Sequence, residues 1–193
     1  MTYKINQIFQ SLQGEGYHSG TPAVFIRFSG CNLRCPFCDT DHARGRRLTL
    51  PQVVGETASC EASLVVLTGG EPSLSIDGAL TAALHAAGKT VAIETNGTRP
   101  LPPGIDWVTL SPKSDFAEAA TPVLTSCDEL KVIYTGEPFD TFPHITARHR
   151  FLQPCDTGDA RRNAQLTLQA ARWCMAHPGW RLSLQIHKII GIE

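Results

Sequence analysis

The sequence predicts an α/β chain built on a partial, open parallel β/α barrel of six or so strands. Short apolar, β-branched runs bounded by Gly or Pro recur along it, and helical patterns lie between several of them. A closed eight-fold barrel takes about 250 residues, whereas the chain has 193. The runs at Val24–Phe28, Leu64–Thr68, Thr90–Glu94, Trp107–Leu110, Leu130–Tyr134, Phe151–Gln153 and Leu182–Ile186 each have the length of a buried strand. Ser75 is placed to cap a helix whose Ile76, Leu80 and Leu84 share one face, and Gly88 is placed to end it. Asp159 can cap a second helix, which carries Leu166, Ala170 and Trp173 and stops at His177-Pro178-Gly179. Leu64–Thr68, the Ser75 helix and Thr90–Glu94 form a strand–helix–strand unit, and such units in series build parallel sheets with helices outside. Between Ser111 and Leu130 there is room for only one small helix. No repeat or low-complexity linker divides the chain, so residues 1–193 are expected to form a single domain.

Composition narrows the function. With 42% hydrophobic and 18% charged residues, a chain of this size can bury roughly 70% of its unfolded surface without staples. Its apolar runs fall far short of the roughly 18 residues a membrane-spanning helix needs. The first ten residues hold no basic stretch followed by an apolar block, so a cytoplasmic location is expected. Lys plus Arg number 17 against 18 Asp plus Glu, and the longest basic cluster is Arg44-Gly-Arg-Arg47. Nucleic acid is therefore not an expected partner, because phosphate neutralisation needs a basic face. Seven cysteines without a secretory signal point to reduced thiols used in metal or redox chemistry.

In a parallel sheet the ligand site gathers at the carboxyl ends of the strands. There the sequence places Ser29-Gly30-Cys31, Thr68-Gly69-Gly70-Glu71-Pro72, Glu94-Thr95-Asn96-Gly97 and Ser111-Pro112-Lys113. Cys31, Cys35 and Cys38 have the spacing C-x3-C-x2-C in a loop at residues 30–42, eased by Gly30, Asn32 and Pro36. Three thiolates leave one iron of a 4Fe-4S cluster open for chemistry. With His42 the same loop also makes a Cys3His set for structural zinc, the basis of a non-catalytic zinc-binding module. Cys60, Cys127, Cys155 and Cys174 read as small core residues, Cys155 near a strand end. Gly69 and Gly70 let backbone approach a ligand closely, and Glu71 is an acceptor for an ammonium. Arg27 lies in an otherwise apolar strand, where a guanidinium needs a carboxylate, either Glu71, Glu94 or one carried by a ligand.

The cysteine loop, with Phe37 just before its last cysteine, together with Gly69-Gly70-Glu71-Pro72, resembles the two signatures of the radical S-adenosylmethionine superfamily. The closer resemblance is to the 7-carboxy-7-deazaguanine synthase family of queuosine-precursor biosynthesis. It is carried by Ile8 to Gly16, Phe25-Ile26-Arg27, Cys38-Asp39-Thr40, Glu94 to Gly97, Ser111-Pro112-Lys113, Leu152-Gln153-Pro154 and Gln185 to Lys188. Gln13-Gly14-Glu15-Gly16 is the most specific of these stretches. The resemblance implies a lyase with the superfamily's incomplete parallel barrel, here shortened. It implies that Cys31, Cys35 and Cys38 hold a 4Fe-4S cluster, and that S-adenosylmethionine chelates the open iron and is cleaved to a 5′-deoxyadenosyl radical. Thr40 is implied as a Mg²⁺ ligand. Phe37, Cys38, Asp39, Gly70, Ser111, Pro112, Lys113, Gln153, Pro154, Cys155 and Asp156 are implied contacts of S-adenosylmethionine.

For the substrate the resemblance implies Leu12, Gln13, Gly14, Glu15, Arg27, Thr68, His187 and Glu193. His187 is expected in a terminal strand, and Glu193 adds a negative charge where the family's last residue approaches the substrate. The implied reaction turns 6-carboxy-5,6,7,8-tetrahydropterin into 7-carboxy-7-deazaguanine with loss of ammonia. A homodimer and an electron donor such as flavodoxin or ferredoxin are implied partners. A rival within the superfamily is an activating enzyme for a glycyl-radical protein, which leaves Gln13 to Gly16 unexplained.

Overall fold

The computed structural model describes residues 2–38, 40–41, 44–136 and 138–192. Among them the strands are β1 (Thr2–Leu12), β2 (Pro22–Phe28), β3 (Arg46–Thr49), β4 (Leu64–Gly69), β5 (Thr90–Thr95), β6 (Trp107–Leu110), β7 (Ser126–Tyr134), β8 (Thr146–Pro154) and β9 (Arg181–Leu182). The α-helices are α1 (Leu50–Ala58), α2 (Gly78–Ala86), α3 (Ala160–Ala176) and α4 (Ile186–Ile190). All strands belong to one sheet, in the order β3-β1-β2-β4-β5-β6-β7-β8-β9. From β2 to β9 the neighbours are parallel, while β1 runs antiparallel to β2 and β3 antiparallel to β1. The sheet is mostly parallel and unclosed, with β3 and β9 at its edges.

Period-two alternation gives the central strands two buried faces. Val24, Ile26 and Phe28 of β2, Val65 and Leu67 of β4, and Val91 and Ile93 of β5 pack outward with Leu80 and Leu84 of α2 and Val53 of α1. The alternate residues Phe25, Val66 and Ala92 point inward and join Phe9 and Trp107. A second outer core places Leu110, Leu130, Val132 and Leu152 with Ala170 and Cys174 of α3.

The structure corrects several expectations. The seven expected runs all overlap parallel strands, but two strands absent from the expectation, β1 and β3, join antiparallel at one edge. β1 escapes a pattern search because Asn6, Gln7 and Gln10 break its apolar run and a register shift lies between Ile5 and Gln7. In β3 only Leu48 is buried. Asp77, not Ser75, caps α2: its Oδ1 accepts from Leu80 N at 2.9 Å and from Tyr3 Oη at 2.9 Å, which ties the helix to β1. Ser75 instead ends a 3-10 turn at Pro72–Leu74. Asp159 caps α3 as expected, accepting from Arg162 N at 2.7 Å.

Between Ser111 and Leu130 there is no helix, and the described residues of the β5–β6 and β7–β8 connections have none either. Prolines at 100, 102, 103, 112, 122, 138 and 143 interrupt these links. The terminal run is a strand only at Arg181–Leu182, and Ile186–Ile190 is helix. Cys155 and Cys174 are buried, whereas Cys60 and Cys127 are half-buried. Among the described residues no helix is long and apolar enough to cross a membrane.

Leu130 is wholly buried between the sheet and α3. Leu130→Ala is expected to cost about 2–5 kcal/mol in a denaturant titration. Leu168→Ala, on the exposed side of α3, is expected to stay within about 0.5 kcal/mol of the parent.

Candidate active site

The inner face of the sheet changes character from one layer to the next. Phe25, Val66, Ala92 and Trp107 are register partners across four strands, and Phe9 stacks on Phe25 with ring centroids 5.1 Å apart. One layer toward the carboxyl ends, Arg27 pairs in register with Thr68, and Glu94 with Thr109, which in turn faces Glu129. This polar layer lies over the apolar floor. Above it opens a cavity of about 490 Å³ bordered by both layers and by the loops at the strand ends.

Charges that leave water need partners. Lys131, on the inner face of β7, is 4% exposed and its Nζ is paired with Glu15 Oε2 and lies 3.5 Å from Glu94 Oε1. Glu15 also accepts from Gln185 Nε2 at 2.9 Å, and Glu94 from Gln13 Nε2 at 3.1 Å and Thr68 Oγ1 at 3.3 Å. Burial pushes the Glu15 carboxyl up, but the adjacent ammonium and the donated hydrogen bonds outweigh it and hold the group at about 2. The same carboxylates keep Lys131 protonated against burial. Burial wins at Glu129, whose pKa is raised despite Lys131 and a hydrogen bond from Tyr17 N at 3.0 Å. Arg27 has no carboxylate partner among the described residues; its guanidinium sits 5.5 Å from the Phe9 ring centroid and borders the cavity.

The cysteine loop forms the opposite wall, with Cys31, Cys35, Phe37, Cys38 and Thr40 all bordering the cavity. None of the three thiols is in a disulfide, and burial pushes those of Cys31 and Cys35 up. Two backbone bonds join this loop to the next: Gly70 N donates to Phe28 O and Glu71 N to Gly30 O, each at 2.9 Å. Gly69 has φ +112°, and a Cβ there would lie 2.4 Å from Phe28 O, so only glycine fits. Glu71 is not an open acceptor for a ligand. Its carboxylate takes Ser73 N at 3.0 Å, Thr95 Oγ1 at 2.7 Å and Asn96 N at 2.7 Å. Asn96 Nδ2 then donates to Asn32 Oδ1 at 3.1 Å, which locks the cysteine loop to the end of β5.

Lys113 and the end of β8 supply the third wall. Lys113 Nζ donates to Ser111 O at 2.7 Å and Ser111 Oγ at 2.6 Å, and burial pushes its pKa down to about 8. Gln153, Pro154, Cys155 and Asp156 border the same space. Hydrogen bonds from Lys188 Nζ at 2.8 Å, Gly158 N at 3.0 Å and Asn163 Nδ2 at 2.7 Å hold Asp156 at about 2. α4 crosses the mouth: Ile186 N donates to Gly14 O at 3.0 Å, and His187 lies so close that a Cβ on Gly14 would fall 2.1 Å from its Nδ1.

The residues singled out in the sequence thus meet at one cavity. Leu12, Gln13, Glu15, Arg27, Thr68, Gly70, Ser111, Lys113 and His187 border it with the cysteines and the 153–156 segment. His187 does so from a helix rather than a strand. Gly14 lies behind His187, and Pro112 is buried without bordering the cavity. Asp39, His42 and Glu193 lie outside the described residues. Lys131 was missed, although a charge inside Leu130-Lys131-Val132-Ile133 is the same signal that marked Arg27.

Comparisons with known proteins give the family. The model of the Radical SAM superfamily matches residues 25–129, a span that holds the cysteine loop and Gly69 to Pro72. The 7-carboxy-7-deazaguanine synthase of Bacteroides thetaiotaomicron is 55% identical over 193 residues and covers 100% of both chains, so the short length is shared with it. The Bordetella pertussis synthase is 44% identical over 217 aligned positions, again with 100% of each chain covered. The crystal structure of QueE from Escherichia coli superposes with a TM-score of 0.73 at 30% identity, covering 97% of this chain and 95% of that one. Streptococcus suis SuiB, at 13% identity and a TM-score of 0.52, shares the fold. The chain belongs to the radical S-adenosylmethionine superfamily and, within it, to the 7-carboxy-7-deazaguanine synthase family.

Proposed function

We propose that the chain converts 6-carboxy-5,6,7,8-tetrahydropterin into 7-carboxy-7-deazaguanine with loss of ammonia. The observation that carries this reading is that the cysteine wall and the polar layer border one cavity. A reaction begun at one wall can therefore act on a heterocycle held at the other.

Membership of the superfamily implies a 4Fe-4S cluster and S-adenosylmethionine. The donor set fits. Cys31, Cys35 and Cys38 are three unbridged thiols on one wall of the cavity, and three thiolates suit a cluster in which each takes its own iron. When bound, the pair supplies hydrogen-atom abstraction at carbon. Phe37, Gly70, Ser111, Lys113 and the 153–156 segment would hold the methionine and adenosine parts, with Asp39 as a further contact. Pro112 would act by shaping the turn that presents Ser111 and Lys113.

Gln13, Glu15 and Thr68 would read the donor and acceptor edge of the aminopyrimidinone, and Arg27 would pair with the substrate carboxylate, consistent with its lack of an internal one. Leu12 and His187 would close over the ring, Gly14 would give His187 room, and Glu193 would approach from the chain end. Thr40, a hard oxygen donor on the cysteine wall, would offer a Mg²⁺ ligand beside the substrate carboxylate. The chain's own task is to bind, orient and exclude water. Reduction calls for a small one-electron protein such as flavodoxin or ferredoxin, and a homodimer is the assembly expected.

Protein reconstituted without oxygen and given reductant, S-adenosylmethionine, Mg²⁺ and the carboxypterin is expected to release the deazaguanine, read by chromatography. A failure to do so, with the cluster intact, would contradict the reading. Cys35→Ala is expected to lose both the brown colour and turnover, and Mg²⁺ omission to lower the rate. Arg27→Met is expected to raise KM for the carboxypterin by about tenfold or more, from loss of a charge-assisted pair, with the cluster spectrum unchanged.

A further inference from the structure

The polar layer contains an ammonium that binding and cluster chemistry leave unassigned. We infer that Lys131 is a positioning residue, which pairs with Glu15 and Glu94 and holds them aimed into the cavity as acceptors for the N–H groups of the bound heterocycle. The inference rests on the proposed pterin reading of the same cavity and deepens it.

Geometry carries it. Lys131 reaches the layer from β7, Glu94 from β5 and Glu15 from the turn after β1, so one side chain joins elements far apart in sequence. Both carboxylates border the cavity, as does Lys131 itself. Each carboxylate is already fixed by neutral donors, Glu15 by Gln185 and Glu94 by Gln13 and Thr68, which set direction but supply no counter-charge. The charged groups facing Lys131 are Glu15, Glu94 and Glu129, with the Lys113 ammonium adding repulsion. Three carboxyls around one cation leave an acidic surplus, and two like charges at close quarters cannot both stay ionised without it. Removing the ammonium leaves the buried Glu15 carboxyl without its counter-charge, so it takes up a proton at neutral pH and an acceptor becomes a donor, which a row of N–H groups on the ligand rejects.

The test uses Lys131→Met and Lys131→Arg in the reconstituted enzyme, with the cluster spectrum as a check on loading. Lys131→Met is expected to raise KM for the carboxypterin about 10- to 100-fold, as for lost hydrogen bonds to charged acceptors, while kcat changes far less. Its KM is expected to fall as pH rises from about 6 to about 8, as the carboxyl re-ionises, where the parent stays flat because Glu15 is ionised throughout. Lys131→Arg is expected to recover most of the affinity. A KM in Lys131→Met within about twofold of the parent, flat in pH, would overturn the inference.

A second reading needs no turnover. Infrared spectra of the parent and Lys131→Met at neutral pH are expected to differ by one added protonated-carboxyl band, and identical spectra would overturn the inference whether or not the pterin reading holds. If the parent makes no deazaguanine yet the band appears, the substrate reading fails and the electrostatic role stands. Should Lys131→Met not fold, Lys131→Met/Glu15→Gln removes the unbalanced charge; it is expected to fold and to bind the carboxypterin about 10-fold or more weaker, and parental affinity would overturn the inference.

Discussion

The pairing of Lys131 with Glu15 and Glu94 is the constraint on which the site depends. An inward-facing layer of a parallel sheet is ordinarily apolar, as the Phe25–Val66–Ala92–Trp107 layer is. Placing carboxylates one layer above it is tolerable only where a counter-charge and hydrogen bonds replace the lost water. The arrangement brings the turn after β1 down onto β5 and β7. Glu129 continues the effect by accepting from Tyr17 N, while Gly16, at φ +65°, leaves no room for a Cβ against that carboxylate. The polar side of the cavity is therefore part of how the chain's first loop is held.

The cysteine side is secured differently, through backbone and short polar side chains. Glu71 looks like a ligand acceptor in the sequence, yet it braces the end of β5 against the loop after β4. The Asn96–Asn32 bond and the two backbone bonds at Gly70 and Glu71 carry the restraint on to the cysteine loop. Three thiols on a loop need such support, because a cluster's geometry is set by where the loop is held. α4 completes the enclosure from the other end of the chain, joined to the polar side at Gly14 and Glu15 and to the end of β8 through Lys188 and Asp156.

Much of this was legible in the sequence. Motifs at strand ends locate the cavity because parallel topology collects those ends, and β2, β4, β5 and β6 are plain in their β-branched runs. What escaped has physical causes. β1 and β3 are edge strands whose polar residues obscure the alternation, and the missing crossover helices follow from prolines in links that only length suggested could coil. The run Leu182–Ile186 reads as a strand by composition, but after Ser183 the hydrogen bonds of Gln185 and Ile186 go to Glu15 and Gly14 rather than to a ladder. Glu71 reads as a ligand acceptor and Lys131 goes unmarked because a sequence places a charge in an apolar run without showing what faces it.

The central claim is that one cavity presents a heterocycle to hydrogen abstraction from the cysteine wall. The most direct measurement follows deuterium placed on the carboxylate-bearing ring carbon of the carboxypterin through anaerobic turnover. The account predicts deuterium at the 5′ carbon of the deoxyadenosyl group, recovered as S-adenosylmethionine or as 5′-deoxyadenosine, whereas product formed with label absent from both would contradict it.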